Sequence, residues 1–469
     1  MWLELAVLGY SVGSYIYHRV TAKDPVRERR WLEIPETDEG VSVPIVFGRV
    51  RVRAPVVVYR TPTAELDGTF ANIVFAIGIP FQDGDQHLHR VYFGDEASGE
   101  FNTAPNQGSQ AGPFQPPPPA RGVSVTGIEF LGGSSTQDIG GSSFTDGLLS
   151  DYSAAQEGRP NFRGYLTAAC FIGTSRPSLP DLDFEVSTYP TQYLLPFFIP
   201  TQIGLEANPA IVIAALLCDR FGKLGLSTDV LDVSSFKKAA QTLAAENHGI
   251  SISWEERKPV RDMINDVLAQ IDGALWREHS TGKWHIKLVR ADYDPVTVPE
   301  LDPSNCRIEN FAAGGTIETP NSLRVLWEDR DSGYTQRSSV AQSLANAVGQ
   351  NGQRIELSKR YPGVKTADLA EAIAARELAW ESSPGVRFTA IASRAFINTR
   401  LADVLSVTYP DLNISKRIMR VVGVSLGSPS DNHVRLDLIE DVFYVHRSIV
   451  HTGGVTPFPT PPILDPDAE

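Results

Sequence analysis

The stretch that most constrains this chain is VSVPIVFGRVRVRAPVVVYR, Val41 to Arg60. Valine and isoleucine dominate it, with glycine and proline as punctuation, which is the pattern of a buried strand pair. GTFANIVFAIGIPF (Gly68 to Phe81) and QHLHRVYFGDE (Gln86 to Glu96) continue it. Residues 101 to 160 then change character. NTAPNQGSQAGPFQPPPPARG contains the run Pro116 to Pro119, and GGSSTQDIGGSS follows. This composition buries too little apolar surface to fold alone, so an extended loop or insertion is expected. The proline run reads as a linker in preference to a ligand for an aromatic groove.

From Asn208 the periodicity becomes helical. Asn208 can cap and Pro209 can occupy the first turn, where its missing N–H costs nothing. Ile211, Ala214, Ala215 and Cys218 then share a face. Ser234 or Ser235 is the expected cap of a second helix carrying Phe236, Ala239, Ala240, Leu243 and Ala244 on its buried side, ending near Gly249. A third helix starts at Pro259, buries Val260, Met263, Ile264, Val267, Leu268 and Ile271, and stops at Gly273. GKWHIKLVR (Gly282 to Arg290) reads as a strand that completes a compact α+β module. Beyond it the β pattern returns. SLRVLWEDR (Ser322 to Arg330) places Leu323, Val325 and Trp327 on one face. A helix capped by Thr366 runs to Ser382, with Asp368 and Glu371 favourable near its positive end. VRFTAIASRAF, DVLSVTY and VRLDLIEDVF supply further strands, and the tail HTGGVTPFPTPPILDPDAE is proline-rich.

Four stretches, in this order, resemble phage tail tip and baseplate hub proteins, a family that includes the tail-hub proteins of siphophages and gene transfer agents and the core of the lambda-type tip attachment protein. The first is an apolar leader and spacer followed by IP(V/I)VYG-x-x-R-V-x-G-x-V-(V/I). Val43, Pro44, Ile45, Val46, Phe47, Gly48, Arg51, Val52 and Val56 to Val58 fit it, with Phe47 for the usual Tyr and Ala54 for the second Gly. Asn161 to Val186 resembles the segment that closes the family's first domain and ends in LP-x-x-x-FEV. Ala207 to Ser251 resembles its central-domain segment, and Met419 to Phe443 the strand pair that ends its second tube-type domain. Departures occur at the "EGPI" turn, here GIPF, and before DVLSV, where Ala402 stands for the usual Gly while Asp403 is kept. The resemblance spans roughly residues 1 to 445.

What the resemblance implies is a β-rich α+β multidomain chain, with two tube-type β-barrel domains flanking a central α+β domain. It implies an apolar arm and charged spacer over 1–40, a first tube-type domain over 41–204 with the insertion at about 101–160, a hub domain over 205–305, a second tube-type domain over 306–447 and a tail over 448–469. It also implies a homotrimeric ring of pseudo-six-fold symmetry that closes the distal end of a phage tail and is assembled in the host cytoplasm. The implied partners are the distal tail ring or tail tube, the tape-measure protein and other tip or fibre proteins. DNA would pass through the lumen without sequence-specific binding. Movement of domains about linkers near residues 200 and 305 is the expected mode of opening.

Composition agrees with such a role. With 42 basic and 56 acidic residues the formal charge is -14, which argues against a dedicated nucleic-acid binder. An acidic lumen would let DNA slide, although many soluble proteins are acidic for no such reason. Cys170, Cys218 and Cys306 lie far apart with no C-x-x-C spacing, so buried thiols are expected, with neither a disulfide framework nor a zinc site. The leader MWLELAVLGYSVGSYIY is interrupted by Glu4 and is shorter than a spanning helix. It reads as an arm packing on a neighbouring subunit or the tape-measure protein, or as a segment touching the host membrane during infection.

The residues nominate no catalytic, cofactor-binding or metal-ligating group, and no enzyme activity is expected. His87 and His89 share a strand face but lack a third ligand. Glu246 to His248 reads as a helix C-cap. Glu255 and Glu256, Asp329 and Asp331, and Glu440 and Asp441 are carboxylate pairs in polar turns or at strand ends. The alternative class is a β-rich hydrolase or carbohydrate-binding protein acting on host surface polymer. Against it, Trp2, Trp31, Trp254, Trp276, Trp284, Trp327 and Trp380 are spread out as packing residues are, with no clustering in one loop.

Overall fold

The computed structural model describes residues 42–60, 70–81, 84–94, 96–100, 102, 104–105, 110–114, 123–133, 162–174, 182–190, 200–219, 224–314, 319–383, 385–427, 432–444 and 450–451. The expected N-terminal arm, the proline run at 116–119 and the tail beyond 451 lie outside them. Among the described residues no helix is long and apolar enough to cross a membrane. The chain is β-rich with few helices.

The first unit contains β1 (Ile45–Arg53), β2 (Val56–Arg60), β3 (Phe70–Gly78), β4 (Gly84–Phe93), β5 (Glu96–Ala97), β6 (Gln110–Phe114), β7 (Val123–Leu131), β8 (Leu166–Thr174) and β9 (Leu182–Pro190). One five-stranded sheet has the order β2-β3-β8-β7-β6; β1, β9, β4 and β5 belong to another. Their facing side chains, among them Val50, Val52, Ile73, Phe75, Leu88, Phe130, Leu166, Phe184 and Val186, form one apolar core. β6 and β7 lie inside 101–160, the stretch expected as an extended loop or insertion, and are strands of the β2-β3-β8-β7-β6 sheet. Val125, Ile128 and Phe130 of β7 are buried, and β7 pairs with β8 along its length around a bulge between Val125 and Gly127. Low-complexity flanks hide these strands in the sequence.

The central unit holds β10 (Gln202–Ile203), β11 (Glu206–Ala207), α1 (Pro209–Cys218), α2 (Val233–Ala245), β12 (Ile252–Trp254), α3 (Val260–Ile271), β13 (Gly273–Arg277) and β14 (Trp284–Leu288). Asn208 caps α1 as expected, accepting from the Ala210 N–H at 3.1 Å, while its amide donates to the Ala240 carbonyl of α2. All ten residues of α1 are buried, not only one face, because α2 and α3 pack against it along with β1. The cap of α2 is Asp232 and neither serine: its carboxylate accepts from the Ser235 N–H at 2.9 Å and from the Ser234 hydroxyl at 2.7 Å. At the other end Asn247 adopts a left-handed conformation, with the Asn247 N–H donating to Ala244 and the His248 N–H to Leu243. This double bond pattern is a Schellman cap, so Glu246 to His248 does end the helix. Asp272, also left-handed, ends α3 one residue before Gly273.

The second β region contains β15 (Glu300–Leu301), β16 (Cys306–Ala313), β17 (Ser322–Asp329), β18 (Thr335–Gln342), α4 (Leu344–Gly349), β19 (Glu356–Arg360), α5 (Ala367–Glu381), β20 (Val386–Ser393), β21 (Val404–Tyr409), β22 (Ile414–Ser425), β23 (His433–Glu440) and β24 (Val450–His451). A six-stranded sheet runs β15-β21-β22-β23-β20-β16 over a core that includes Phe388, Leu405, Met419, Leu436 and Leu438. A second sheet, β19-β17-β18-β24, lays Leu323, Val325 and Trp327 under α5, which contributes Leu369, Ile373 and Leu378.

β1 joins the first two units. Ile45 to Phe47 pair with β12, and Gly48 to Arg53 pair with β9, so one strand serves two cores. Gly48 marks the change of partner, at φ +71° with the Ile250 carbonyl 2.6 Å from where a Cβ would lie. Glycine alone takes that conformation without strain and admits that approach. Phe47, in place of the family's Tyr, is fully buried against Phe81 and Trp254.

Candidate functional site

Charged side chains buried where the three regions meet form the chain's most unusual chemical feature. The β1–β9 register places Arg49, Arg51, Asp183, Glu185 and Ser187 on the sheet face opposite the core. β4 adds Arg90 and Tyr92. Such a face would ordinarily be solvated. Here the β17–β18 hairpin tip, Arg330 to Tyr334, covers part of it.

Glu185, fully buried, is the centre. Its Oε1 accepts from Arg49 Nε at 2.8 Å and from the Tyr334 hydroxyl at 2.9 Å, while Arg90 Nε stands 3.6 Å from Oε2. Arg49 also pairs with Glu100 at 2.7 Å, and its backbone N–H donates to the Ser251 hydroxyl at 3.2 Å. Arg51 binds Asp183 at 2.8 Å, donates to the Gly333 carbonyl at 3.3 Å and lies 4.3 Å above the Tyr92 ring, which meets Tyr334 edge to face. Beside these, Arg330 pairs with Glu206 of β11, and the Ser251 N–H donates to the Gly363 carbonyl at 2.9 Å. Residues of the first unit, the central unit and the second β region therefore share one polar junction.

Burial sets the electrostatics. It lowers the Arg49 pKa, but Glu185 and Glu100 more than offset this, so the guanidinium is held charged. Burial and the Glu185 charge push the Tyr334 hydroxyl up, keeping it a neutral donor. His89, whose Nε2 lies 2.8 Å from the Ser187 hydroxyl, is pushed down to about 4 by burial, then by the Arg49 charge and His87. Two arginines, Arg49 and Arg90, face two carboxylates, Glu185 and Glu100. A proton on His89 would leave that balance with an excess positive charge.

A second buried set clamps the C-terminal end of α3. Arg376 of α5 pairs with Asp272 at 2.5 Å and donates to the Gln270 carbonyl at 2.7 Å. Arg290 donates to the Ile271 carbonyl and grips Glu246 with two bonds of 2.7 and 2.8 Å. Arg420 donates to the Arg290 carbonyl at 2.9 Å and pairs with Asp441 at 2.7 Å. Cations at a helix C-terminus satisfy its free carbonyls and complement its negative end. Nearer the surface, Arg400 binds Glu278 and Lys287 binds Asp403.

The residues weighed from sequence fall into these structural roles. His87 pairs with Asp85 at 2.8 Å and stacks on His89; Glu246 serves Arg290. Asp329 accepts from the Ser332 hydroxyl and pairs with Arg337, Glu440 lies near Arg417, and Asp441 serves Arg420. Among the described residues no group of three or more His, Cys, Asp or Glu could hold a metal ion. Cys170, Cys218 and Cys306 are free and buried. Sequence reasoning passed over Arg49, Glu185, Glu206, Arg330 and Tyr334. Its only signal was charge within apolar strands, which reads equally as a solvated face.

This architecture defines a β-rich multidomain protein knit together by buried ion pairs. Residues 259–424 match the family described as "Putative phage tail protein". This match falls within the stretch over which the motifs resemble phage tail proteins. No curated protein matches it at a significant level. Its fold is similar end to end to a chain of a solved structure titled "Virion of native gene transfer agent (GTA) particle", with TM-score 0.62 and 13% identity, covering 96% of this chain and 95% of that one. A tail protein from Neisseria meningitidis MC58 aligns at TM-score 0.34 and 10% identity over 86% of this chain and 97% of that one. The 43 kDa tail protein of prophage MuSo2 from Shewanella oneidensis aligns at 0.30 and 11%, over 87% and 100%.

Proposed function

We propose that this chain is the hub at the distal end of a phage-type tail tube, a structural protein without catalytic activity. In this reading three copies form a ring in which the first and second β regions act as six tube-type barrels, so a three-fold hub seats on a six-fold tube. The hub joins the tube or distal tail ring to other tip or fibre proteins, holds the end of the tape-measure protein, and opens to let that protein and DNA pass. The units correspond to residues 41–204, 205–305 and 306–447. The observation that carries the reading is the end-to-end fold similarity to a chain of a gene transfer agent virion. The family match over 259–424 supports it independently.

Copy number tests it. Calibrated mass spectrometry of purified particles, against the major tail-tube protein, is expected to give three copies per particle. Dozens of copies would make it a tube or capsid component. Absence from particles would return attention to a hydrolase or carbohydrate-binding role, which turnover of peptidoglycan or capsule by the purified protein would support.

A further inference from the structure

The joints expected near residues 200 and 305 are built as braces. At the second, the Asp302 carbonyl accepts from the Asn305 and Cys306 N–H groups at 3.1 and 2.9 Å, and Asp302 Oδ1 accepts from the Ser304 N–H at 2.7 Å. Asn305 returns a bond to the Asp302 N–H, and its carbonyl accepts from the Ser393 N–H at the end of β20. β15 and β16, on either side, belong to one sheet. After residue 200, the Leu205 carbonyl accepts from both the Arg49 N–H and the Tyr189 hydroxyl, so this turn is tied to the first unit. The next residue, Glu206, binds Arg330 of the second β region.

Added to these are the strand shared by two cores and the buried junction around Glu185. A hinge at either place would need to expose Arg49, Glu185 and Arg330, each nearly or fully buried. Breaking buried pairs is far costlier than bending a solvated linker.

We infer that the described parts of the three units form one mechanical body, locked by the Arg330–Tyr334 hairpin tip seated on Glu185 and Glu206. The lock is a property of the single chain. Its consequence, that a hub opens by moving whole copies against one another, rests on the proposed tail role.

The test uses two probes of urea unfolding on the purified full chain. Trp254, Trp276, Trp284, Trp327 and Trp380 all lie in the central unit and second β region. With Trp2→Phe and Trp31→Phe in the background, tryptophan emission reports mainly those regions, although Trp254 also packs on Phe47 of β1, while far-UV circular dichroism reports all three. One body requires the two curves to coincide. Adding Tyr334→Phe and Arg330→Gln is expected to separate them, with dichroism changing at lower urea as the first unit unfolds early. Tyr334→Phe alone, which keeps the ring and loses only the hydroxyl, is the milder variant should the double change prevent folding. Curves that already separate in the background chain would overturn the single body. Curves that still coincide in the variants would overturn the assignment of the lock to this hairpin. Neither outcome depends on the copy number in particles.

Discussion

Ala402 shows how a single residue carries the record of a turn. It sits at φ +63°, the left-handed conformation, in the place where the resembling family has Gly. A left-handed Cβ costs about 1–2 kcal/mol, and Gly returns about 0.5–1 kcal/mol of that through unfolded-state entropy. The Ala402 methyl is also buried against Ala274 and Leu401, and losing it costs about 0.8 kcal/mol, so Ala402→Gly is expected to leave stability within about 0.5 kcal/mol, read from urea midpoints. His89 gives the chain a dependence on acid. Its folded pKa of about 4 lies below the ordinary histidine value, so the unfolded chain binds more protons between them. The stability that neutral His89 contributes is complete above about pH 6.5 and is lost as pH falls towards 4. His89→Gln should flatten that part of the stability profile, and an unchanged slope would assign the loss to other groups. Burial raises the thiols of Cys218 and Cys306 to about 11, so all three buried cysteines should react with a thiol reagent only after unfolding.

At the scale of elements, β1 and α2 carry the clearest consequences. Gly48→Ala combines a left-handed backbone with a Cβ driven into residues 250 and 251, and no side-chain rotation relieves either. A loss of at least about 3 kcal/mol is expected, since β1 must part from one of its two partners. Asp232→Ala removes only a cap and should cost about 1 kcal/mol. Measured side by side, the two rank a shared strand against a helix end; similar losses would mean that β1 can slip without penalty. Much of this level was legible. Asn208 with Pro209, the period of α2 and α3, and the alternation of Leu323, Val325 and Trp327 are local patterns, and the elements stand where those patterns put them. Where competing caps lay within three residues, the sequence pointed to Ser234 or Ser235, and the geometry chose Asp232. The choice turns on which carboxylate or hydroxyl reaches the free N–H groups, a matter of backbone angle.

For the whole molecule, the deciding contacts join residues more than a hundred positions apart. Arg376→Met leaves Asp272 buried with its strongest partner gone and is expected to cost about 3–5 kcal/mol, whereas Lys238→Met, at an exposed pair with Asp292, should change stability by less than about 0.5 kcal/mol. Equal losses would show that the α3 clamp is as weak as a surface pair. The sequence alone determined that the chain is β-rich around an α+β centre and that it resembles phage tail proteins, because periodicity, caps and motifs are written in neighbouring residues. Only the tertiary structure decided that Arg49, Glu185 and Tyr334 meet, that β1 serves two cores, and that β6 and β7 are strands within a glycine- and proline-rich stretch. Those outcomes depend on which surfaces cover one another, and a charge in a strand carries no mark of whether water or another part of the chain will lie over it.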